Sequence, residues 1–518
     1  MSFARATATV GGLTLISRVG GFFRDLLTAW VLGAGVSADI FIVAQRLPNY
    51  FRSMFAEGAF TVSFVPMYSA DLKARGRGPA DQFADQALSF MVMVLLPVTA
   101  LVMMAMPWVM LGLASGYADQ PDHFTRLVDL GRITFPYLIF ISITALQTGV
   151  LNALGRFAPG AAAPIAFNIC MIAALGLTVW LHLEANLGQA WGLTISGMVQ
   201  MIWLAVSCHR AGVSLRITWP RLTPDLRRLF RQMVPGAISA SVIQINLIIG
   251  THVASLLPSG SISYLYYADR LNQLPLGVIG IAIGTALLPT LSRHVQAGER
   301  DAIDHHVSRG IEFGLLLALP AAFALGVVPE PIYKALFHGG RFGLAEAHQT
   351  ALALAMYAPG IPAYVASKVL TAIYFAHQDT RTPMRIAIAT LAVNMGLATG
   401  LALFTPLAHL GIALASTITA WGNITLLSLS LVRRSWLRLD RQLLTRAPRI
   451  LAASLVMVAC LAPLAQVLDP YFVDRVWVRV PALAALVMAG LTAYGVAVVA
   501  LRGVVISDFA ARLRRRRK

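Results

Sequence analysis

Apolar residues run along this chain in blocks of about twenty to thirty, each closed by glycine, proline or a charged turn. A hydrocarbon core about 30 Å thick is crossed by about 20 apolar residues in helical form. The blocks therefore predict membrane helices over 8–33, 38–68, 86–113, 129–154, 160–182, 187–209, 228–257, 262–291, 309–328, 345–376, 383–404, 408–431, 448–467 and 480–501, about fourteen in all. No polar stretch between them is long enough for a separate water-soluble domain. The opening segment MSFARATATVGGLTL has no typical signal-peptide cleavage site and its apolar run continues past Arg18, so it is expected to stay as the first helix.

Composition agrees with this pattern: of 518 residues, 57% are hydrophobic and 12% charged, a balance that excludes a soluble domain of this size. The expected fold class is an all-α polytopic membrane protein. The net charge of +18 changes the picture only through its distribution. With the N-terminus placed in the cytoplasm, about 29 of the 41 Lys and Arg residues fall in cytoplasmic segments, about 5 in external loops and about 7 within the membrane. That asymmetry supports an even number of crossings with both termini cytoplasmic, and it accounts for the basic residues without nucleic acid as a partner. The loop from His209 to Gln232, with six arginines and Trp219, also has the composition of an interfacial segment that could hold anionic lipid; topology alone produces the same charges.

An internal repeat underlies the helices. AQRLPN at 44–49 and VPMYS at 65–69 are echoed by ADRLNQ at 268–273 and LPTLS at 288–292, a displacement of about 224 residues, and Pro136 and Pro159 repeat as Pro359 and Pro383. Six is an even number of crossings, so the halves have like orientation: a lobe of helices 1–6 over residues 1–222, a lobe of helices 7–12 over 223–440, and two added helices with a basic tail over 441–518. Prolines and glycines interrupt helix 2 (Pro48, Gly58, Pro66) and helix 8 (Pro275, Gly277, Gly280, Gly284, Pro289) at corresponding places. Such paired breaks point to the central site of a transporter. Pro359-Gly360-Ile361-Pro362 predicts a bend in helix 10.

Charged residues within the apolar blocks carry the candidate chemistry, because each costs about 2.5–3.5 kcal/mol at mid-bilayer and must face a wet cavity or a partner. They are Arg18, Arg24, Arg46, Arg52, Arg270 and Lys368 against Asp25, Asp39, Glu57 and Asp269. The positive excess favours an anion, and arginine's planar, permanently charged fork suits phosphate oxygens. Arg24, Arg52 and Arg270 lack enough acids to pair them all and are expected ligands. Asp25, seven residues from Arg18 on one helical face, and Asp269 beside Arg270 are expected ion-pair formers; Arg46 is expected to snorkel or to pack between helices. No Walker A loop, HExxH, GxSxG or Cys/His cluster is present, so neither an enzyme nor a metal site is indicated. His305 and His306 read as a solvated pair, and Cys170, Cys208 and Cys460 as packing residues.

The runs SRVGGFFRDLL (17–27), RLPNYFRSMFAEGAFTVSFVP (46–66), LNALGRFAPGAAAPI (151–165), YYADRLNQLPLGVIGIAIGTALLPTLS (266–292) and QDTRTP (378–383) resemble the bacterial lipid II flippase family of the MurJ/MviN type. The resemblance covers essentially the whole chain. It implies the fold of the multidrug/oligosaccharidyl-lipid/polysaccharide exporter superfamily, two six-helix lobes around a V-shaped central cavity with alternating access. It also implies transport of the undecaprenyl-diphosphate-linked peptidoglycan precursor across the inner membrane, with membrane lipids and the cell-wall synthesis machinery as further partners. Carried onto this chain, it makes Arg18, Arg24, Arg52 and Arg270 essential cations and Asp39 and Glu57 functionally sensitive acids. It implies that helices 13 and 14 form a groove for the prenyl tail. Arg52 is followed by Ser53 where some relatives carry a second basic residue. Some members use sodium; Asp379 is the candidate ligand here, no cofactor is expected, and whether Na+, H+ or the membrane potential drives transport stays open. The alternatives are an exporter of another undecaprenyl-linked oligosaccharide, such as an O-antigen unit, and a cation-coupled drug exporter, which the positive interior disfavours.

Overall fold

The computed structural model describes residues 3–53, 60–473 and 475–503. Among them the chain is all-helical, nineteen helices without a named strand, and its contacts divide it into two units, Met1–Ser263 and Tyr264–Lys518.

The first unit contains α1 (Phe3–Leu32), α2 (Val36–Phe51), α3 (Thr61–Ala74), α4 (Arg77–Met104), α5 (Met106–Leu113), α6 (Pro121–Thr134), α7 (Tyr137–Ala153), α8 (Ala158–Trp180), α9 (Ala185–Arg210) and α10 (Pro224–Ser255). The span expected over 38–68 is described in two parts, with Arg52 and Ser53 in a π-helical turn after α2. Glu57 lies outside the described residues. One core of this unit stacks Phe60, Phe64, Tyr68 and Phe83 from α3 and α4 against Leu226 and Leu229 of α10. The contact unit thus extends to residue 263, whereas the sequence repeat turns over at 222/223.

The second unit begins at Tyr264, just inside α11 (Ser261–Ala297), and continues through α12 (Arg300–Val327), α13 (Pro329–Leu336), α14 (Leu344–Tyr357), α15 (Ile361–Ala376), α16 (Arg381–Phe404), α17 (His409–Arg433), α18 (Arg441–Phe472) and α19 (Val476–Ala500). The bend foreseen at Pro359 is a 3-10 turn, Ala358–Gly360, between α14 and α15. The interruption foreseen in helix 8 does not form: α11 is one helix of 37 residues with Pro275 and Pro289 inside it. Membrane helices tolerate interior proline because neighbouring groups satisfy the freed carbonyls. The two added helices, α18 and α19, pack against α12 and α13 around Phe472, Leu461, Leu483 and Leu486.

The repeat is visible in the helix starts: Arg77 and Arg300, Met106 and Pro329, Pro121 and Leu344, Ala158 and Arg381 are each 223 residues apart. It extends to a packing detail. A Cβ on Gly188 would lie 1.9 Å from the Thr178 hydroxyl of α8, and one on Gly411, 223 residues later, 2.7 Å from the Leu401 backbone of α16. Both helical pairs depend on glycine for their close approach.

Nine described helices, or pairs of them in line, are long and apolar enough to cross a membrane. The remaining sequence-predicted spans are 8–33, 38–68, 228–257, 262–291 and 345–376, and four of these five hold the interior charges named above.

Candidate functional site

In the first unit, α1 carries two cations in different settings. Arg24 is buried: its Nε and Nη2 donate to Asp25 Oδ1 at 3.2 and 2.7 Å, and its Nη1 donates to Asn168 Oδ1 of α8 at 3.1 Å. The guanidinium carbon lies 5.1 Å from the centre of the Phe167 ring. Asn168 in turn donates from Nδ2 to the carbonyl of Ser17, at 2.9 Å. Arg18 is exposed, and no ion pair or hydrogen bond of its side chain is found among the described residues. The expected Arg18–Asp25 pair is therefore replaced by Arg24–Asp25. Successive helical positions point about 100° apart, yet the long guanidinium folds back over the neighbouring short carboxylate, which backbone direction alone does not anticipate.

Asp39 sits in the first turn of α2, 1% exposed. Its Oδ1 accepts from the backbone N–H of Ser263 at 2.8 Å and from the Ser263 hydroxyl. Its Oδ2 accepts from the N–H of Gly260 at 2.7 Å and the Tyr117 hydroxyl at 3.1 Å. The carboxylate thus caps the start of α11 from another helix, meeting N–H groups that lack helical partners and the positive end of the helix dipole.

Arg46 Nη1 donates to Thr251 Oγ1 of α10 at 2.9 Å, and the Tyr50 hydroxyl lies 2.9 Å from the same oxygen. This is the inter-helix packing expected of Arg46. Arg52 is half-buried at the end of α2, beside Ser53, whose hydroxyl accepts from Gln244 Nε2 at 2.9 Å.

In the second unit, Arg270 is the repeat counterpart of Arg46. Its Nη2 donates to the Tyr266 hydroxyl at 2.7 Å and its guanidinium lies 4.6 Å from the centre of that ring. Asp269 accepts from Gln273, one turn on. Lys368 of α15 is exposed; its stem passes α11 so closely that a Cβ on Gly280 would lie 3.1 Å from Cε. Asp379, in the connection before α16, accepts at Oδ1 from the N–H groups of Arg381 (3.1 Å) and Thr382 (3.0 Å), and at Oδ2 from the Thr382 hydroxyl (2.7 Å) and Arg434 Nη1 (2.5 Å). The Thr382 bonds, with Arg434 adding, hold its pKa down to about 2 against the cost of burial. That is the geometry of a helix cap. Among the described residues no group of three or more His, Cys, Asp or Glu could hold a metal ion.

The partners Asn168, Tyr117, Ser263, Thr251 and Tyr266 were not among the residues singled out from the sequence. Asn168 alone had a signal, an amide inside the apolar run APIAFNICMIA.

Repeated helix starts, helices long and apolar enough to cross a bilayer and arginines set within apolar segments define an all-helical multi-pass membrane protein with a charged interior. In fold the chain is similar to a solved lipid II flippase MurJ in an inward closed conformation, with a TM-score of 0.77 and 22% identity over 94% of this chain and 97% of that one. It is similar also to an inward-facing multidrug resistance MATE family transporter of the MOP superfamily, with a TM-score of 0.67 and 14% identity over 80% and 95%. The chain belongs to the lipid II flippase MurJ family, whose model matches residues 28–481. It is 42% identical over 465 residues to a probable lipid II flippase MurJ of Rhizobium meliloti, covering 89% of this chain and 86% of the relative. It is 35% identical, also over 465 residues, to the lipid II flippase MurJ of Burkholderia cenocepacia, covering 86% and 88%.

Proposed function

We infer that the protein is a lipid II flippase: a multi-pass protein of the bacterial inner membrane that carries the undecaprenyl-diphosphate-linked peptidoglycan precursor from the cytoplasmic to the outer leaflet. Family membership over most of the chain supports this function. We propose further that both termini are cytoplasmic, that the chain crosses fourteen times, and that access to the substrate alternates between the two sides.

The cations proposed to meet the diphosphate are Arg18, Arg24 and Arg52 in the first unit and Arg270 in the second, with Asp39 and Glu57 as the acids that shape their surroundings. The observation that carries the substrate reading is Arg18: a permanent cation exposed on a membrane helix, between exposed Leu15, Ile16, Val19 and Phe23. A group of that kind is stabilised by a bound anion, each charge-assisted hydrogen bond contributing about 1.5–3 kcal/mol. The surrounding apolar side chains suit a ligand that is part lipid.

The test is complementation of cells depleted of their own lipid II flippase. The wild-type chain should restore growth; Arg18→Ala, Arg52→Ala and Arg270→Ala should each fail while reaching normal levels in the membrane. Growth with all three variants would remove these arginines from the site, and failure of the wild type to move lipid II in reconstituted vesicles would overturn the function itself.

A further inference from the structure

The connection between α9 and α10, residues 211–223, has no role in the substrate reading. It is not helical, and α4 holds it through its backbone. The N–H of Arg216 donates to Asp85 Oδ1 at 2.8 Å, that of Thr218 to the Ser89 hydroxyl at 2.8 Å, and that of Arg221 to Gln86 Oε1 at 2.9 Å. Its first apolar residues, Val213 and Leu215, turn into the core beside Phe83 and Leu226. Its later ones do not: Ile217 is 71%, Trp219 84% and Leu222 53% exposed.

Depth gives this arrangement meaning. Asp85 is the last charged residue of α4 before the apolar run from Ala87 to Met104 that makes this helix a candidate span. The connection is thus bound at the level where α4 enters the membrane, and Ile217, Trp219 and Leu222 are presented at that level with no protein cover. Around them Arg210, Arg216, Arg221, Arg227, Arg228 and Arg231 are all exposed. The one acid of the segment, Asp225, is paired with Arg75 at 3.1 Å. Leu226 and Leu229 of α10 face the core, which turns Arg227, Arg228 and Arg231 the other way. The corresponding connection of the second unit treats its tryptophan differently: Trp436 stacks on His377 at 4.0 Å and receives Arg434 over its ring.

We propose that residues 216–222 form a strap that seats Ile217, Trp219 and Leu222 in the headgroup region of the membrane, with Arg216 and Arg221 and the arginines flanking them binding anionic phospholipid there. Tryptophan is favoured at that depth because its ring is apolar and its N–H polar, and arginines near an anionic surface add attraction that salt screens. Under the orientation proposed above the leaflet is the cytoplasmic one. The strap holds α4 and the start of α10 at a fixed height relative to the headgroups, independently of what the arginines within the membrane bind.

The test uses the full chain in lipid nanodiscs of phosphatidylcholine, alone or mixed with phosphatidylglycerol. A nitroxide is placed at Trp219→Cys in a background lacking Cys170, Cys208 and Cys460, with Glu299→Cys as a solvated reference. At position 219, collision with oxygen should exceed collision with a water-soluble nickel chelate, more so with phosphatidylglycerol present, and Arg216→Ser/Arg221→Ser should abolish that difference. Nickel collision at 219 equal to that at 299 in both lipids would overturn the proposal and leave the arginines as topology signals. On the chain with its native cysteines and Trp219, native mass spectrometry should show phosphatidylglycerol retained over phosphatidylcholine, falling by about fivefold per arginine replaced. Equal retention of the two lipids would likewise overturn it.

Discussion

Removing Asp25 alone strands the Arg24 guanidinium in a buried setting with Asn168 as its remaining polar partner on α8. Breaking a buried pair from one side costs about 3–5 kcal/mol, whereas removing both partners leaves no charge to solvate. Asp25→Ala and Arg24→Ala should each lower the amount of folded protein, and the double variant should recover most of it. Arg18→Ala should leave that amount unchanged and abolish complementation. Fluorescence-detected size-exclusion profiles of the four variants decide the matter: no recovery in the double would mean that Arg24 and Asp25 are not each other's main partner. Asp379 makes the corresponding statement about pH. Its folded-state pKa of about 2 lies below the ordinary 3.8, so its contribution is fully present above about pH 4 and is lost as pH falls toward 2. Asp379→Asn should therefore flatten the loss of thermal stability between about pH 4 and 2; a wild-type slope in that variant would show that the carboxylate is not the group titrating.

Between elements, the two added helices are fastened by charge as well as by their apolar core. Arg309 of α12 donates twice to Asp440, at 2.8 and 2.7 Å, and pairs with Glu312, which also receives Arg446 of α18 at 2.7 Å. Asp440 is at once the N-cap of α18, accepting from the Leu443 N–H at 2.7 Å. One carboxylate thus starts α18 and ties it to α12. Asp440→Ala should raise hydrogen exchange through the first turns of α18 while leaving α19 close to wild type, and Asp440→Asn, which keeps a capping oxygen but loses the charge, should fall between. Uniform exchange across both helices in all three proteins would mean that the apolar contacts alone hold the pair. If α18 and α19 house the prenyl tail, the same variants test whether that groove must be held still.

At the scale of the molecule, the helices, the 223-residue repeat and the bend at Pro359 were legible because each is written locally, in the length of an apolar run or the place of a proline. Partner choice was not. A lipid-facing helix is apolar all round, so the sequence carries little record of how α1 is rotated toward α8, and without that rotation Arg24 and Arg18 could not be told apart. Asp39 was legible as a costly charge, but its donors are backbone groups of Gly260 and Ser263 that every residue possesses. The continuity of α11 through two prolines was likewise hidden, because whether a freed carbonyl finds a donor depends on tertiary neighbours.

The Asp39 clamp also imposes an order on biosynthesis. Ser263 leaves the ribosome 224 residues after the carboxylate it satisfies, long after α2 has entered the bilayer. Until then a nascent chain holds an acid at membrane depth with the Tyr117 hydroxyl as the one described donor already synthesised. The first unit cannot close on its own repeat: it stays open through the emergence of α10 and the opening turn of α11. A chain stopped near residue 222, where the sequence repeat is expected to turn over, therefore lacks the Gly260 and Ser263 donors of Asp39, which come about forty residues later.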